Sequence, residues 1–195
     1  MILAVDTSLG TAVAVIDADG RAVAEAATDD PLGHAEVIGD LLAEVARPEI
    51  THVVAGMGPG PFTGLRIGIA AARAFALGRG IPLLPVPSHY AVALEIENEE
   101  AFAVVTDARR REIAVSVFQG TDADGIPQLR TPTRLEKRGT SIAEPVHEVT
   151  ALSAVALARV GARAIVAGRA LADAEPLYLR SPDVVQPGAP KRVSA

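Results

Sequence analysis

The chain has 195 residues, a formal net charge of −6 and no cysteine, which bounds both its size and its chemistry. Its length suits one large domain or two small lobes that share a core. The lack of cysteine excludes disulfides and thiolate metal sites, and the acidic balance disfavours binding of this chain alone to a phosphate backbone.

The first part of the chain predicts an α/β lobe that begins with three strands. Short apolar runs with β-branched residues, separated by an aspartate–glycine turn, are typical of tightly joined antiparallel strands. The runs are Ile2 to Val5, Ala12 to Ile16 and Arg21 to Ala27, with the turn at Asp17 to Gly20. The helical spacing of apolar residues then predicts a helix from Gly33 to Ala46, which Pro48 ends.

A glycine- and proline-rich loop joins the next strand to a second helix. The predicted elements are a strand Thr51 to Ala55, the loop Gly56 to Pro61, a helix Phe62 to Leu77 and a strand Ile81 to Val86. Ser88 can cap a third helix, which runs to about Glu97.

The second part repeats the order of the first in a weaker form. Its predicted elements are strands Ala101 to Thr106 and Ile113 to Phe118, a helix around Ala151 to Val160 and a strand Ala164 to Ala167. Asp107 corresponds to Asp6, and Asp122 to Asp17, at the turns of the two parts. Duplicated halves and a coincidence of two common Asp-Gly hairpins fit this pattern equally well. The predicted organisation is a first lobe over 1–99, a shorter second lobe over 100–181 and a flexible tail over 182–195.

The segment from Gly56 to Gly68 is the most specific in the sequence. Glycine permits positive φ and close backbone approach, and proline stiffens the loop ahead of a helix whose free N–H groups can hold an anion. The segment is not a P-loop, because no Gly-Lys-Ser/Thr follows, and it lacks the spacing of a dinucleotide fingerprint. On spacing alone, a tight strand-to-helix turn is favoured over an anion site.

The second helix carries small side chains on neighbouring turns. They are Gly64, Gly68, Ala71, Ala72 and Gly78, with Leu65, Ile69 and Phe75 as apolar neighbours. Small residues allow another helix to approach closely. A partner helix and packing on the chain's own sheet fit this face equally well, because every helix of an α/β protein buries one side.

Five motifs together resemble the TsaB (YeaZ) family, in the order in which that family has them. They are residues 2–8, His34-Ala35-Glu36, the loop from Gly58 to Gly68, Asp107-Ala108-Arg109 and Tyr178-Leu179-Arg180. The resemblance covers most of the chain and is strongest up to about Phe118. It implies an α/β, actin-like ATPase (ribonuclease H-like) fold with two related lobes, each a mixed sheet flanked by helices, of which the second is short.

The resemblance also implies a function and partners. The TsaB family acts in the formation of threonylcarbamoyladenosine at the tRNA position next to the anticodon, as the non-catalytic heterodimer partner of TsaD. A bundle of the two leading helices makes that contact, and TsaE, an ATPase, is a further partner. Carried over to this chain, these features imply a homodimer when the chain is alone and contact with tRNA only through the complex.

Two sets of residues follow from that resemblance. The predicted partner interface consists of His34, Val37, Ile38, Leu41, Leu65, Gly68, Ile69, Ala72 and Phe75. A vestigial nucleotide site, able to hold ATP or ADP at the boundary with the partner, consists of Asp6, Thr7, Ser8, Gly58, Gly60, Asp107 and Arg109. Structural carry-over of an old fold is the favoured interpretation of the second set, so no cofactor is expected.

The sequence departs from the catalytic relative where a metal would be held. TsaD-like proteins have two histidines four residues apart at the start of the helix that follows the strand equivalent to Ile81 to Val86, and here those places are Ser88 and Val92. Valine cannot ligate, and His89 points elsewhere on the helix. Because His34 has no histidine four residues later, no metal site is expected.

Three functions compete on these grounds. An accessory subunit is favoured by the glycine-rich segment, the small helix face and the missing histidine pair. A stand-alone actin-like ATPase or metallopeptidase-like enzyme is the alternative, for which the sequence offers no nucleophile beside a base. Charge disfavours direct tRNA binding, although the run Arg109 to Arg111 leaves a role with an anion or an acidic partner open.

The location of the protein follows from two negative features of the sequence. Charged residues such as Arg73 and Arg79 interrupt the apolar stretches that could cross a bilayer. No basic leader precedes the first apolar run, so a secretory signal is not expected. The prediction is a cytoplasmic protein without a membrane segment.

Overall fold

Two sheets and four helices make up the computed structural model of this chain, in which residues 1–28, 33–96 and 98–179 are described. The first sheet consists of β1 (Ile2–Asp6), β2 (Thr11–Ile16), β3 (Ala22–Thr28), β4 (His52–Gly56) and β5 (Leu83–Val86). The second consists of β6 (Ala101–Asp107), β7 (Glu112–Thr121), β8 (Pro127–Lys137) and β9 (Val146–Glu148). The helices are α1 (His34–Val45), α2 (Phe62–Arg79), α3 (His89–Glu95) and α4 (Ala154–Val166).

The two sheets have the same topology. The strand orders are β3-β2-β1-β4-β5 and β8-β7-β6-β9. In each sheet the three strands that come first along the chain are antiparallel neighbours, and the next strand runs parallel to the first of them, β1 or β6. The second sheet lacks a counterpart of β5 within the described residues. The structure thereby decides between duplication and coincidence in favour of two related halves, the second of them shorter.

The two aspartate–glycine hairpins have the same hydrogen bonds. In the first, Oδ1 of Asp17 accepts from the N–H groups of residues 19 and 21, both at 2.9 Å. In the second, Oδ1 of Asp122 accepts from residues 124 and 126 at 3.0 and 2.9 Å. Gly20 and Gly125 take the left-handed conformation, at φ of 77° and 72°. Glycine adopts this conformation without a Cβ penalty, which explains the repeated sequence.

The first sheet is buried on both faces, as the alternation of side chains along a strand requires. One face of β1 and β2 packs against α1 and α2 through Leu3, Val5, Val13 and Val15. The other face packs against α4, which packs against α3, and α3 contacts β6, β7 and β8 of the second sheet. Phe102, Val104 and Phe118 of that sheet belong to the same core. Helices α3 and α4 therefore form a layer between the two sheets.

Helix α4 corrects the prediction of a helix to Val160 followed by a strand Ala164 to Ala167. One helix spans the whole stretch: Oγ of Ser153 accepts from the N–H of Ala156 at 3.0 Å, and Gly168 beyond its end is left-handed. A short apolar run cannot distinguish a strand from the end of a buried helix.

The second half of the chain also differs from expectation at two strands and at its boundary. Strands β8 and β9 were not predicted, because β8 carries mainly polar residues and β9 is only three residues long. The boundary placed at 99/100 falls between α3 and β6, yet α4 packs on the first sheet, where a Cβ at Gly161 would overlap Val54. The tail over 182–195 lies outside the described residues.

None of the helices in the described part of the chain combines the length and the apolar character that crossing a membrane requires.

Candidate functional site

The turn after β1 buries a cluster of polar side chains at the carboxyl end of the parallel strands. Asp6, Thr7 and Ser8 are each at most 2% exposed. One carboxylate oxygen of Asp6, Oδ1, accepts from the N–H of Ser8 at 2.7 Å. The other, Oδ2, accepts from Oγ of Ser88 at 2.5 Å. This turn, part of the predicted nucleotide site, is therefore closed by groups of the chain itself.

Ser88 holds this cluster together, although the sequence suggested a different role for it. It makes no side-chain capping bond to α3. Its Oγ lies 2.8 Å from Oγ of Ser8 and accepts from the N–H of Gly58 at 3.0 Å, while its own N–H donates to the Gly58 carbonyl at 2.7 Å. Ser88 does occupy the predicted N-cap position before α3, but its side chain bonds to this cluster and makes no capping bond to the helix. Its position just after a strand parallel to β1 and β4 was the signal that could have placed it beside Asp6.

The glycine-rich loop lies directly on the Asp6 turn. A Cβ at Gly56 would overlap the Asp6 carboxylate, and a Cβ at Gly60 would lie 2.8 Å from Cα of Ser8. Close backbone approach therefore requires glycine at both positions. Burial raises the pKa of Asp6 above its usual 3.8, against the opposing hydrogen bond from Ser88.

The inner side of α2 packs against the same turn. Oγ1 of Thr7 donates to the Gly64 carbonyl at 2.8 Å, and a Cβ at Gly68 would overlap Thr7. His34 is buried at the start of α1, where its Nδ1 lies 2.7 Å from Oγ1 of Thr11. Gly64 and Gly68 thus serve the packing of the chain's own core.

This packing corrects most of the predicted partner interface. Six of its nine members are buried inside the chain: His34, Ile38, Leu65, Gly68, Ile69 and Ala72. The other three, Val37, Leu41 and Phe75, are half-buried, and Leu41 and Phe75 pack against the core beneath α1 and α2. Because small apolar residues lie on both sides of α2, the sequence pattern assigned the buried side of the helix to the partner interface.

The outward faces of α1 and α2 carry two other rows of small side chains. Each row has residues at i, i+4 and i+8, which share one face of a helix. The rows are Ala35, Gly39 and Ala43 on α1, and Ala70, Ala74 and Gly78 on α2, all exposed. A Cβ at Gly39 or Gly78 would meet nothing within 4 Å, and Leu77 beside the second row is 85% exposed. We call this surface the α1/α2 face.

Three members of the predicted nucleotide site line an open cleft. Gly60, which also touches the Asp6 turn, lies with Asp107 and Arg109 along a cleft of about 490 Å³ between the two lobes, whereas Asp6, Thr7, Ser8 and Gly58 are buried. The structure thus divides the predicted site into a closed turn and an open cleft.

The aspartate of the second lobe is exposed in that cleft. Asp107 pairs with Arg138 at 2.7 Å, and Arg138 also pairs with Glu148 at 3.0 Å. The hydrogen bond from Arg138 lowers the pKa of Asp107. Beside it, Arg109, Arg110 and Arg111 all have left-handed backbones, at φ of 59°, 53° and 61°. Bulky residues rarely adopt this conformation, so the turn is strained where it presents the basic run.

Across the cleft, α2 and the C-terminal segment form an aromatic cluster. The rings of Phe62 and Tyr178 lie 4.8 Å apart. The guanidinium of Arg66 stacks 3.7 Å from the Phe62 ring, and its Nε donates to the Tyr178 hydroxyl at 2.8 Å. The tyrosine of the Tyr-Leu-Arg motif thereby attaches the C-terminal segment to α2, while Arg180 lies outside the described residues.

The start of α3 has no set of metal ligands. Val92 is buried in the core, and His89 bonds to Oγ of Ser116 at 2.8 Å and Oγ1 of Thr106 at 3.1 Å. Burial lowers the pKa of His89 to about 3, so the imidazole is neutral. Across residues 1–28, 33–96 and 98–179, no three His, Asp or Glu side chains are grouped as metal ligands would be.

Comparisons of sequence agree on one family. The family model described as TsaD, tRNA N6-adenosine threonylcarbamoyltransferase, matches residues 34–158. An uncharacterized protein of Mycobacterium bovis is 36% identical over 93% of this chain and 92% of its own length. An uncharacterized protein of Mycobacterium leprae is 36% identical over 73% of this chain, and the match spans 42% of its length. The tRNA threonylcarbamoyladenosine biosynthesis protein TsaB of Bacillus subtilis is 28% identical over 60% of this chain and 55% of its own length.

Solved structures agree with the sequence comparisons. YeaZ from Pseudomonas aeruginosa superposes with a TM-score of 0.74 at 25% identity, over 91% of this chain and 99% of that chain. A second Pseudomonas aeruginosa structure, of an uncharacterized protein with similarity to peptidase YeaZ, gives 0.75 at 25% identity. The predicted actin-like α/β fold with two related lobes is confirmed. The chain belongs to the family of the TsaD model, and within it to the TsaB (YeaZ) group.

Proposed function

We propose that this chain is a non-catalytic accessory subunit in the biosynthesis of threonylcarbamoyladenosine on tRNA, and that it forms a heterodimer with a TsaD-like catalytic subunit through the α1/α2 face. Membership of the TsaB (YeaZ) group supports the part of the proposal that concerns this biosynthesis. The observation that carries the docking mode is the pair of small-residue rows, Ala35/Gly39/Ala43 and Ala70/Ala74/Gly78, which both lie on the outside of the molecule.

Packing geometry explains why such a face suits a helix pair. Helices approach to 8–10 Å depending on the side chains between them, and rows of alanine and glycine set the short end of that range. Leu77 supplies an apolar side chain at one end of the α2 row. When no partner is present, the same face would pair with itself about a two-fold axis.

The buried polar turn supports an accessory role over a catalytic one. A catalytic acid, base or nucleophile has to reach its substrate, and Asp6, Ser8 and Ser88 bond to one another beneath the glycine-rich loop. The places of the histidine pair hold Ser88 and Val92. Chemistry then belongs to the TsaD-like partner, with a TsaE-like ATPase as a further partner and tRNA engaged only through the complex.

The interface can be tested with matched substitutions of exposed residues. The full chain and a TsaD-like catalytic subunit are mixed and passed over a size-exclusion column. Gly39→Arg and Ala74→Arg should each weaken the complex at least about tenfold, because a long charged side chain separates the helices. Val166→Arg serves as the control, since Val166 is 90% exposed at the end of α4, on the other side of the first sheet. Retention of the complex by both interface variants would reject this docking mode.

The basic residues that line the interlobe cleft are the observation that favours the alternative function, an ATPase. Arg109 and Arg110 line it beside the start of α2, an arrangement that attracts phosphates. ATP or ADP bound there, at the boundary with the partner, would still be compatible with an accessory role. Calorimetry with ATP and magnesium, followed by phosphate release, separates the two functions. Turnover by the chain alone would favour an enzyme and contradict our proposal.

A further inference from the structure

A second cavity, of about 430 Å³, lies between the lobes on the other side of Leu177 and Tyr178. It is bounded by the start of α3, by β7 and β8, and by the C-terminal segment. Its walls are mostly apolar, with contributions from Met57, Pro87, Phe118, Leu129 and Leu171. Both its size and its apolar lining are typical of small-molecule sites.

One wall of this cavity carries a line of hydrogen-bonded polar groups. Nδ1 of His89 lies 2.8 Å from Oγ of Ser116, which lies 2.8 Å from Oγ1 of Thr133. His89 and Ser116 are buried, whereas Thr133 is half-buried and lines the cavity. The line of hydrogen bonds therefore ends at the cavity surface.

A β-bulge places Thr133 in this line. Val115 pairs with Arg134, but Val117 pairs with Thr131, so that two residues of β8 oppose Ser116. Bulges of this kind re-aim a side chain and are enriched beside functional sites. The hydroxyl of Thr133 can make one further hydrogen bond to a ligand. If the proton of His89 is on Nδ1, Thr133 accepts from Ser116 and its own hydrogen can be donated to the ligand; if the proton is on Nε2, Thr133 donates to Ser116 and its oxygen can accept from the ligand.

The charged residues that line this cavity indicate which kind of ligand it would bind. Asp173 and Glu175 are exposed and line the cavity, and neither pairs with a basic side chain in the described part of the chain. The basic run belongs to the other cleft, where Arg109 and Arg110 are lining residues. The guanidinium of Arg73 donates to the carbonyl of Ala174, between the two carboxylates, without forming an ion pair with either of them within the described residues. By their lining residues the two openings differ in net charge: the first is basic and the second is acidic.

We propose that the acidic cavity is a binding site for a small apolar molecule that carries a protonated amine. The apolar body lies against Leu129, Leu171 and Pro87, and the ammonium group lies near Asp173 and Glu175. This site is independent of the α1/α2 face and of the proposed accessory function.

The probe for this site is 2-phenylethylamine, with 2-phenylethanol and 3-phenylpropionate as neutral and anionic controls on similar apolar bodies. Isotope-labelled full chain is titrated with each, and the amide signals are followed. The amine should saturate with a dissociation constant on the order of 1 mM, as expected for so small a ligand, and shift the signals of Leu129, Thr133 and Asp173. It should bind about three- to tenfold more tightly than the alcohol, and this preference should shrink in high salt.

Two double variants separate a site from general attraction of a cation to an acidic protein. Asp173→Asn with Glu175→Gln should remove the preference for amine over alcohol and leave binding of the alcohol unchanged. Glu36→Gln with Asp40→Asn removes the same charge from the exposed side of α1 and should change nothing. The proposal is overturned if the amine causes no saturable shift at the cavity, if phenylpropionate binds as tightly, or if the α1 variant weakens binding equally.

Discussion

Two aspartates end equivalent strands of the two lobes, and they lie in opposite environments. Asp6 at the end of β1 is buried and bonds only to Ser8 and Ser88. Asp107 at the end of β6 is exposed and pairs with Arg138. The cause lies in the neighbouring connections: the glycine-rich loop before α2 packs onto the first turn, whereas among residues 1–28, 33–96 and 98–179 no such loop packs onto the second.

This difference shows how a duplicated fold can divide its tasks. The first turn has become part of the packing between β1, α2 and the loop, which fixes the base of the α1/α2 face. The second turn still borders an open cleft, which Arg109, Arg110 and Tyr178 line. The same strand-ending aspartate is structural in one lobe and solvent-facing in the other.

The closed turn is broken most directly by adding one methyl group. Gly56→Ala would drive a Cβ into the Asp6 carboxylate, which its buried hydrogen bonds to Ser8 and Ser88 hold in place. We expect the free energy of unfolding to fall by at least about 3 kcal/mol, at the upper end of overpacking effects. Urea unfolding followed by circular dichroism measures it.

The matched control is Gly39→Ala on α1, where the added Cβ meets nothing within 4 Å. It should raise the free energy of unfolding by about 0.5–1 kcal/mol, because alanine favours a helix over glycine. Similar stabilities for the two variants would mean that the loop does not press on Asp6.

Much of the fold could be predicted from the sequence, and the exceptions have physical causes. The strands of the first sheet were predicted because short apolar runs with β-branched residues lie between turn signals. Helix α1 was predicted from the helical spacing of its apolar residues, and α2 from the glycine- and proline-rich loop before it. Strand β8 was missed because it lies at the edge of its sheet and is largely polar, as edge strands often are. The end of α4 was assigned to a strand because alanine, isoleucine and valine in a short run fit either structure.

The candidate site was less predictable, because it depends on which side of a helix is buried. Sequence located the glycine-rich segment and Asp6, but not the hydrogen bonds to Ser88, which come from a residue 82 positions away. The row on the inner side of α2, Gly64 to Ala72, and the row on its outer side, Ala70 to Gly78, overlap in sequence and composition. Only the clash that a side chain at Gly68 would have with Thr7 reveals which row is internal.

An intermediate effect should come from deleting each aspartate side chain in turn. Asp6→Ala leaves the N–H of Ser8 and the hydroxyl of Ser88 without their buried acceptor, which costs about 1–3 kcal/mol. Asp107→Ala removes an exposed ion pair and should cost less than about 1 kcal/mol. Chemical denaturation of both variants at neutral pH measures the difference. If the two losses are equal, or Asp107→Ala costs more, the contrast between the lobes is wrong.

The smallest effect, and the most specific, is a pH dependence of opposite sign at the two aspartates. The pKa of Asp6 is raised by burial, so above about pH 3.8 the unfolded chain releases this proton before the folded chain does. The stability that Asp6 contributes therefore falls as pH rises from 3.8 through its folded pKa. Asp6→Asn, which keeps the shape of the side chain and can donate to Ser88, should remove that slope and become more stable relative to the wild type as pH rises across this window.

The pKa of Asp107 is lowered by Arg138, so its contribution to stability is present above pH 3.8 and is lost as pH falls below that value. Asp107→Asn should accordingly approach the wild type on acidification. Free energies of unfolding measured from pH 3 to 7 test both signs, and parallel curves for Asp6→Asn and the wild type would show that Asp6 is not buried in this way.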